Sequence, residues 1–92
     1  MRTLLIDDIR NLKADKIART FEEGINALLY EGHWDLLLLD HDLGQKDGLD
    51  GTGIMNWIEQ NLEYKPSKIQ LVTSNPVGRQ RMQVIIDRIY GT

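Results

Sequence analysis

Short, wholly apolar runs that end in acidic side chains punctuate this chain. Leu4-Leu5-Ile6 stops at Asp7-Asp8, and Leu36-Leu37-Leu38-Leu39 stops at Asp40-His41-Asp42-Leu43-Gly44. Apolar runs of four or five residues bounded by polar turns read as strands buried on both faces, as in parallel sheets. Thr3–Ile6 is the first strand and residues 34–40 are the central one. Residues 9–15 are polar and read as a loop. Elsewhere the apolar period becomes helical. Ile25, Leu28 and Leu29 mark a helix over about 21–30, ended by Gly32. Ile54, Trp57, Ile58 and Leu62 mark a second helix. Met82, Ile85, Ile86 and Ile89 stripe a third. A strand over 69–73 precedes this last helix and is broken by Ser74-Asn75-Pro76.

Residues 16–21 allow two readings. They form a short second strand, 16–20, or they begin one long helix, since Ile17, Phe21 and Ile25 fall near helical spacing. Thr20 and Glu23 match a capping box, and Gly24 is a poor interior helix residue, so the strand is favoured. Residues 44–53 contain Gly44, Gly48, Gly51 and Gly53 with Asp47 and Asp50, a flexible loop. Its composition suggests a calcium loop, but the spacing and the final Glu are missing.

The order is therefore strand, loop, strand, helix, strand, helix, strand, helix. Strands alternating with helices imply a parallel sheet with right-handed crossovers. The strand order 2-1-3-4 puts the switch point between strands one and three. Ligands of open α/β sheets bind at the carboxyl ends of strands, at such a point. Asp7, Asp8, Asp40, His41 and Asp42 then share one small pocket. Carboxylates gathered in this way repel one another unless a cation or bound protons relieve them.

Composition narrows the field. Ninety-two residues make one domain, 1–92, and an apolar share of 41% is enough for a core. No stretch approaches the roughly 20 apolar residues of a membrane helix. With no cysteine there is no disulfide or thiolate metal site. Together with the lack of a leader pattern, this points to a cytoplasmic protein without a membrane partner. A net charge of −3 argues against broad nucleic-acid binding but leaves room for local recognition of one phosphate.

Paired acids after strand one, an Asp after the central strand and a hydroxyl after the next strand resemble the receiver domain of response regulators. Asp7, Asp8, Asp40 and Thr73 take those positions. The chain differs in having no fifth strand and helix, no lysine after Lys68, and Asp40-His41-Asp42-Leu43-Gly44 where receivers usually have a Met-Pro turn. Those differences resemble a more specific family, the cyclic-phosphate processing receiver-like domain. The likeness rests on Ile6-Asp7-Asp8-Ile9-Arg10, Asp40-His41-Asp42-Leu43-Gly44 and Ser74-Asn75-Pro76-Val77-Gly78-Arg79, followed by Met82. It implies action on cyclic phosphates such as RNA ends. Many members have a His where this chain has Val72. The expected fold is an α/β, truncated receiver or flavodoxin-like one, with a short parallel sheet of about four strands and flanking helices.

The candidate chemistry follows. Mg²⁺, or another divalent cation, takes oxygen ligands and usually keeps several waters, so one or two carboxylates plus substrate phosphate suffice. Asp7, Asp8 and Asp40 are the candidate ligands. Asp40, His41 and Asp42 are the candidate catalytic residues, His41 as general acid or base beside its two carboxylates. Thr73, Ser74, Asn75 and Arg79 lie where a strand meets a helix N-terminus, an arrangement that favours anions, and Arg79 can grip phosphate bidentately. Arg10 either pairs with Asp8 or approaches that phosphate. His33 at a helix end, and Trp34 and Trp57 at apolar positions, read as structural.

Three functions compete. One is a metal-assisted phosphoesterase on a cyclic phosphate, with a phosphate-containing nucleotide or RNA end as partner. Another is an atypical phosphoacceptor switch at Asp40. The third is a module that sequesters a nucleotide without chemistry. The missing first crossover helix leaves one sheet face thinly covered, which suggests a homodimer.

Overall fold

The computed structural model describes residues 1–46 and 48–91. Asp47, in the predicted 44–53 loop, lies outside the described residues. Four parallel strands form one sheet in the order β2-β1-β3-β4: β1 (Thr3–Ile6), β2 (Lys16–Ala18), β3 (Leu36–Leu39) and β4 (Lys68–Leu71). Three α-helices, α1 (Phe21–Tyr30), α2 (Gly51–Gln60) and α3 (Pro76–Tyr90), and a 3₁₀ turn at Leu62–Tyr64 complete the described chain. No described helix is long and apolar enough to cross a membrane.

The register explains why the runs are continuously apolar. Leu4, Leu37 and Ile69 lie side by side, as do Ile6, Leu39 and Leu71. These six pack with Ala27, Leu28, Ile54, Met55, Ile58, Met82, Ile85 and Ile86 from the helices. Each Leu, Ile or Met among them contributes about 1.5–3 kcal/mol by leaving water. Leu5 and Leu38 fall on the opposite face, where Leu5 is fully buried and Leu38 is 9% exposed.

Residues 16–18 are a strand, which settles the ambiguity over 16–21. Thr20 caps α1 by accepting from the Glu23 N–H at 3.1 Å. Glu23 returns the bond one residue early, to the Arg19 N–H at 2.9 Å, rather than to Thr20. Gly24 lies inside α1, as expected from the helix over 21–30. A Cβ there would sit 2.8 Å from Ile6 Cδ1, so glycine lets α1 lie close against β1. That gain offsets its poor helix propensity.

Two boundaries differ from expectation at α2. The helix starts at Gly51, not near Ile54, because Asp50 caps it by accepting from the Gly53 N–H at 2.9 Å. It stops at Gln60 with Asn61 as C-cap, so Leu62 falls in the 3₁₀ turn and is 51% exposed. At the other end of α1 the C-cap is Glu31 rather than Gly32, its N–H bonding Ala27 O at 3.1 Å. Trp34 is core as expected, 2% exposed, and its indole N–H donates to Ala27 O at 2.9 Å. Trp57 is half-buried and tilts against Tyr64, ring centroids 5.7 Å apart.

Candidate functional site

β1 and β3 are hydrogen-bonded neighbours, so their carboxyl ends lie side by side. Asp40 N–H donates to Ile6 O at 3.0 Å, which seats Asp40 next to Asp7. Asp7, Asp8 and Asp40 each offer a carboxylate oxygen, and the three oxygens lie within 4.8 Å of one another. Asp7 is fully buried and Asp40 is 5% exposed, while Asp8 is half-buried. A cleft of about 350 Å³ is lined by Asp7, Asp8, Arg10, Asp40, Asp42 and Ser74, with Ile9 at its rim. Its size falls within the range of small-molecule sites.

Asp7 is locked in place. Its Oδ1 accepts from the N–H groups of Ile9 and Arg10, both at 2.9 Å. Its Oδ2 accepts from Arg10 Nη1 at 3.1 Å. The expected pairing of Arg10 with Asp8 is not what forms: Nη1 lies between Asp7 and Asp40, 3.4 Å from Asp40 Oδ2. The turn after β1 brings the guanidinium back over Asp7, three residues earlier. Arg19 then pins that turn, donating to Asp7 O at 3.2 Å, to Arg10 O at 2.7 Å and to the Asn11 side chain.

The two buried carboxyls are perturbed in opposite directions. Burial works to raise the Asp7 pKa, but the backbone N–H groups of Arg10 and Ile9, with the Arg10 guanidinium, together outweigh it and hold it below the ordinary value. Burial, and next the Asp7 charge, push Asp40 above its ordinary value, against the Thr73 hydroxyl, the His41 N–H and Arg10. One guanidinium thus leaves the pair short of positive charge.

The Asp40-His41-Asp42-Leu43-Gly44 segment divides its work. Asp40 closes the cleft floor, its Oδ1 accepting from the His41 N–H at 2.8 Å. Leu43 is 3% exposed and anchors the loop in the core. Gly44 makes the turn at φ +67°, beside Asp8. Asp42 faces solvent and lines the cleft. His41 sits behind it, in a second depression of about 270 Å³ that it shares with Asp50, Thr52, Asn56 and Arg81.

Two glycines hold His41 there. A Cβ on Gly78 would lie 2.4 Å from His41 Cγ, and one on Gly51 would lie 2.8 Å from His41 Cα and 2.2 Å from Asp40 O. His41 Nδ1 is 3.2 Å from Asp42 Oδ1 and 3.4 Å from Asn75 Nδ2; Nε2 is 3.7 Å from Asp50 Oδ2. The Asn75 amide is oriented, because its Oδ1 accepts from the Gly78 N–H at 3.0 Å. Its Nδ2 donor therefore faces the ring. A protonated Nδ1 can donate to Asp42, whereas a bare Nδ1 can only accept from Asn75. The ring's proton state decides its partner.

The residues expected to hold phosphate separate into two groups. Ser74 is exposed and lines the cleft beside Arg10. Thr73, Asn75 and Arg79 have local partners. Thr73 is 5% exposed, its hydroxyl acts to lower the Asp40 pKa, and it accepts from the Asn75 N–H at 3.0 Å. Asn75 caps α3. Arg79 turns back to donate to Leu71 O at 3.3 Å and Thr73 O at 3.1 Å, fastening α3 to the end of β4. Sequence reasoning missed Asp50, which faces His41, and Arg19, which fastens the cleft wall. Asp50 followed by Gly51 and Gly53 carries an N-cap signal; nothing in the sequence marks Arg19, whose partners are set by the turn.

The model of the family described as the cyclic-phosphate processing receiver domain matches residues 2–88, a span that includes all three motifs and the whole sheet. No curated protein and no solved structure matches the chain.

Proposed function

The chain belongs to the cyclic-phosphate processing receiver domain family, and from that premise we propose that its acidic cleft is the active site of a metal-dependent phosphoesterase for a cyclic phosphate on a nucleotide or an RNA end. The observation that carries this reading is the convergence of Asp7, Asp8 and Asp40 oxygens within 4.8 Å at the switch point of the sheet. The donor set fits the ion: three hard carboxylate oxygens, two of them buried, with a single guanidinium against them, suit Mg²⁺ or a similar divalent cation. When bound, such an ion supplies Lewis-acid stabilisation of phosphoryl oxygens.

The chain's own groups do the rest. Hydrolysis adds one water across a P–O bond: the water oxygen joins phosphorus, the ribose oxygen departs with a proton, and a phosphomonoester remains. Asp42, which lines the cleft, takes one proton from the attacking water and passes it to the departing ribose oxygen, while the water's other proton stays with the phosphate product. His41, 3.2 Å behind Asp42, orients that carboxylate rather than entering the cleft itself. Arg10 and Ser74 face the nonbridging oxygens. Thr73 favours the ionised form of Asp40, and Asn75 with Gly78 holds His41.

Incubation with nucleoside 2′,3′-cyclic monophosphates and Mg²⁺, followed by chromatography, tests this. Turnover that falls at least ~100-fold in Asp40→Asn is expected. Absence of turnover, or equal turnover in the variant, overturns it. Tight binding with the ligand recovered intact identifies a sequestering module instead.

A further inference from the structure

Arg10 Nη1 occupies the space between the two buried carboxylates, 3.1 Å from Asp7 Oδ2 and 3.4 Å from Asp40 Oδ2. A divalent cation held by Asp7, Asp8 and Asp40 would draw on the same two carboxylates and so would compete with Arg10 for them. We propose that Arg10 is a tethered counter-ion, displaced from between Asp7 and Asp40 when a divalent cation enters and thereby freed to meet a phosphate. This rests on the metal reading of the cleft and adds to it an exchange built into the chain.

The local structure permits that exchange. The Arg10 backbone is fixed on both sides, its N–H on Asp7 Oδ1 at 2.9 Å and its carbonyl on Arg19 Nη1 at 2.7 Å. Its side chain is 38% exposed, and the contacts holding its tip are those to the two carboxylates. A fixed root with a half-exposed, flexible stem lets the guanidinium leave without moving the cleft wall. Arg10 and Ser74 line the same cleft, so the released fork stays where a phosphate would bind. By linkage, the factor by which the bound ion tightens phosphate is the factor by which phosphate tightens the ion.

Isothermal titration of the metal-free protein with Mg²⁺ and Mn²⁺, in wild type, Arg10→Gln and Arg10→Lys, tests the first half. Removing one competing charge-assisted contact should tighten ion binding about tenfold in Arg10→Gln. Arg10→Lys keeps the competing charge and should stay within about threefold of wild type. Circular dichroism confirms that each variant is folded, and Arg10→Met, uncharged with a similar stem, carries the same expectation of about tenfold if Arg10→Gln is not. Titration with inorganic phosphate, with and without saturating Mg²⁺, tests the second half: the gain in phosphate affinity from Mg²⁺ should be about tenfold smaller in Arg10→Gln. Saturable ion binding of equal or weaker affinity in Arg10→Gln overturns the exchange and leaves the metal reading standing. Absence of saturable ion binding in all three proteins overturns both.

Discussion

Replacing Asp7 and Asp40 by asparagine, one at a time, should move stability in opposite directions at neutral pH. Asp7 is fully buried and accepts three hydrogen bonds, from the Ile9 N–H, the Arg10 N–H and the Arg10 guanidinium. Asparagine keeps one acceptor oxygen but turns an NH₂ group toward the guanidinium. Losing that charge-assisted bond and weakening the other two costs about 2–3 kcal/mol. For a chain of this size each kcal/mol is about 4–8 °C, so Tm should fall by about 10–20 °C. Asp40 is the reverse case. Burial and the neighbouring Asp7 charge disfavour its ionised form, and asparagine removes that charge while retaining an acceptor for the His41 N–H. Tm should rise by a few degrees.

The pH dependence separates the two further. Asp7 titrates below its ordinary value in the native state, so its stabilisation is present above the ordinary carboxyl pKa of about 3.9 and is lost as pH falls through the depressed native value. Asp40 titrates above its ordinary value, so its contribution is full below about 3.9 and is lost as pH rises through the raised native value. Wild type thus carries the cost of Asp40 at neutral pH, and the advantage of Asp40→Asn should vanish in acid. Thermal unfolding followed by circular dichroism from acid to neutral pH, in chelator, measures both. Loss of stability in both variants at neutral pH, or an Asp40→Asn advantage that does not change with pH, refutes the reasoning. A gain in stability also ensures that loss of turnover in Asp40→Asn reports chemistry and not unfolding.

Other expectations follow from packing. Gly51→Ala should be severely damaging, since its Cβ would meet the Asp40 carbonyl at 2.2 Å and backbone cannot yield; denaturant melts should show a loss above about 3 kcal/mol or no folded protein. Gly78→Ala meets His41 Cγ at 2.4 Å and Cβ at 2.9 Å, so the whole His41 side chain must shift; it should cost about 1–3 kcal/mol and move the His41 ring resonances in NMR spectra. Trp34→Phe removes the indole donor while Ala27 O keeps the Glu31 N–H, and should cost about 0.5–1.5 kcal/mol for that bond by urea denaturation. Glu59→Gln breaks the solvent-facing pair with Arg88 and should leave Tm unchanged within error.

The sheet order was readable because β1 and β3 are runs of mostly buried apolar residues, and the connections between the strands allow few topologies. The same runs end in acids, which made the meeting of Asp7, Asp8 and Asp40 legible before any coordinates. The start of α1 was read correctly, the start of α2 less well. Gly51 looks like a loop residue until the backbone of Asp40 and His41 is placed against it. The poor helix propensity of Gly24 makes sense once β1 lies beneath it.

Sequence by itself determined which residues could leave water together and in what period, and so the parallel sheet and the edge where its acids gather. Direction and partner were decided in three dimensions. Arg10 bridges Asp7 and Asp40 rather than Asp8, His41 stands behind Asp42 in its own depression, and Arg79 fastens a strand end. Polar side chains choose partners by distances of a few ångströms, set by turns and helix approach, whereas burial follows a pattern that the chain already carries.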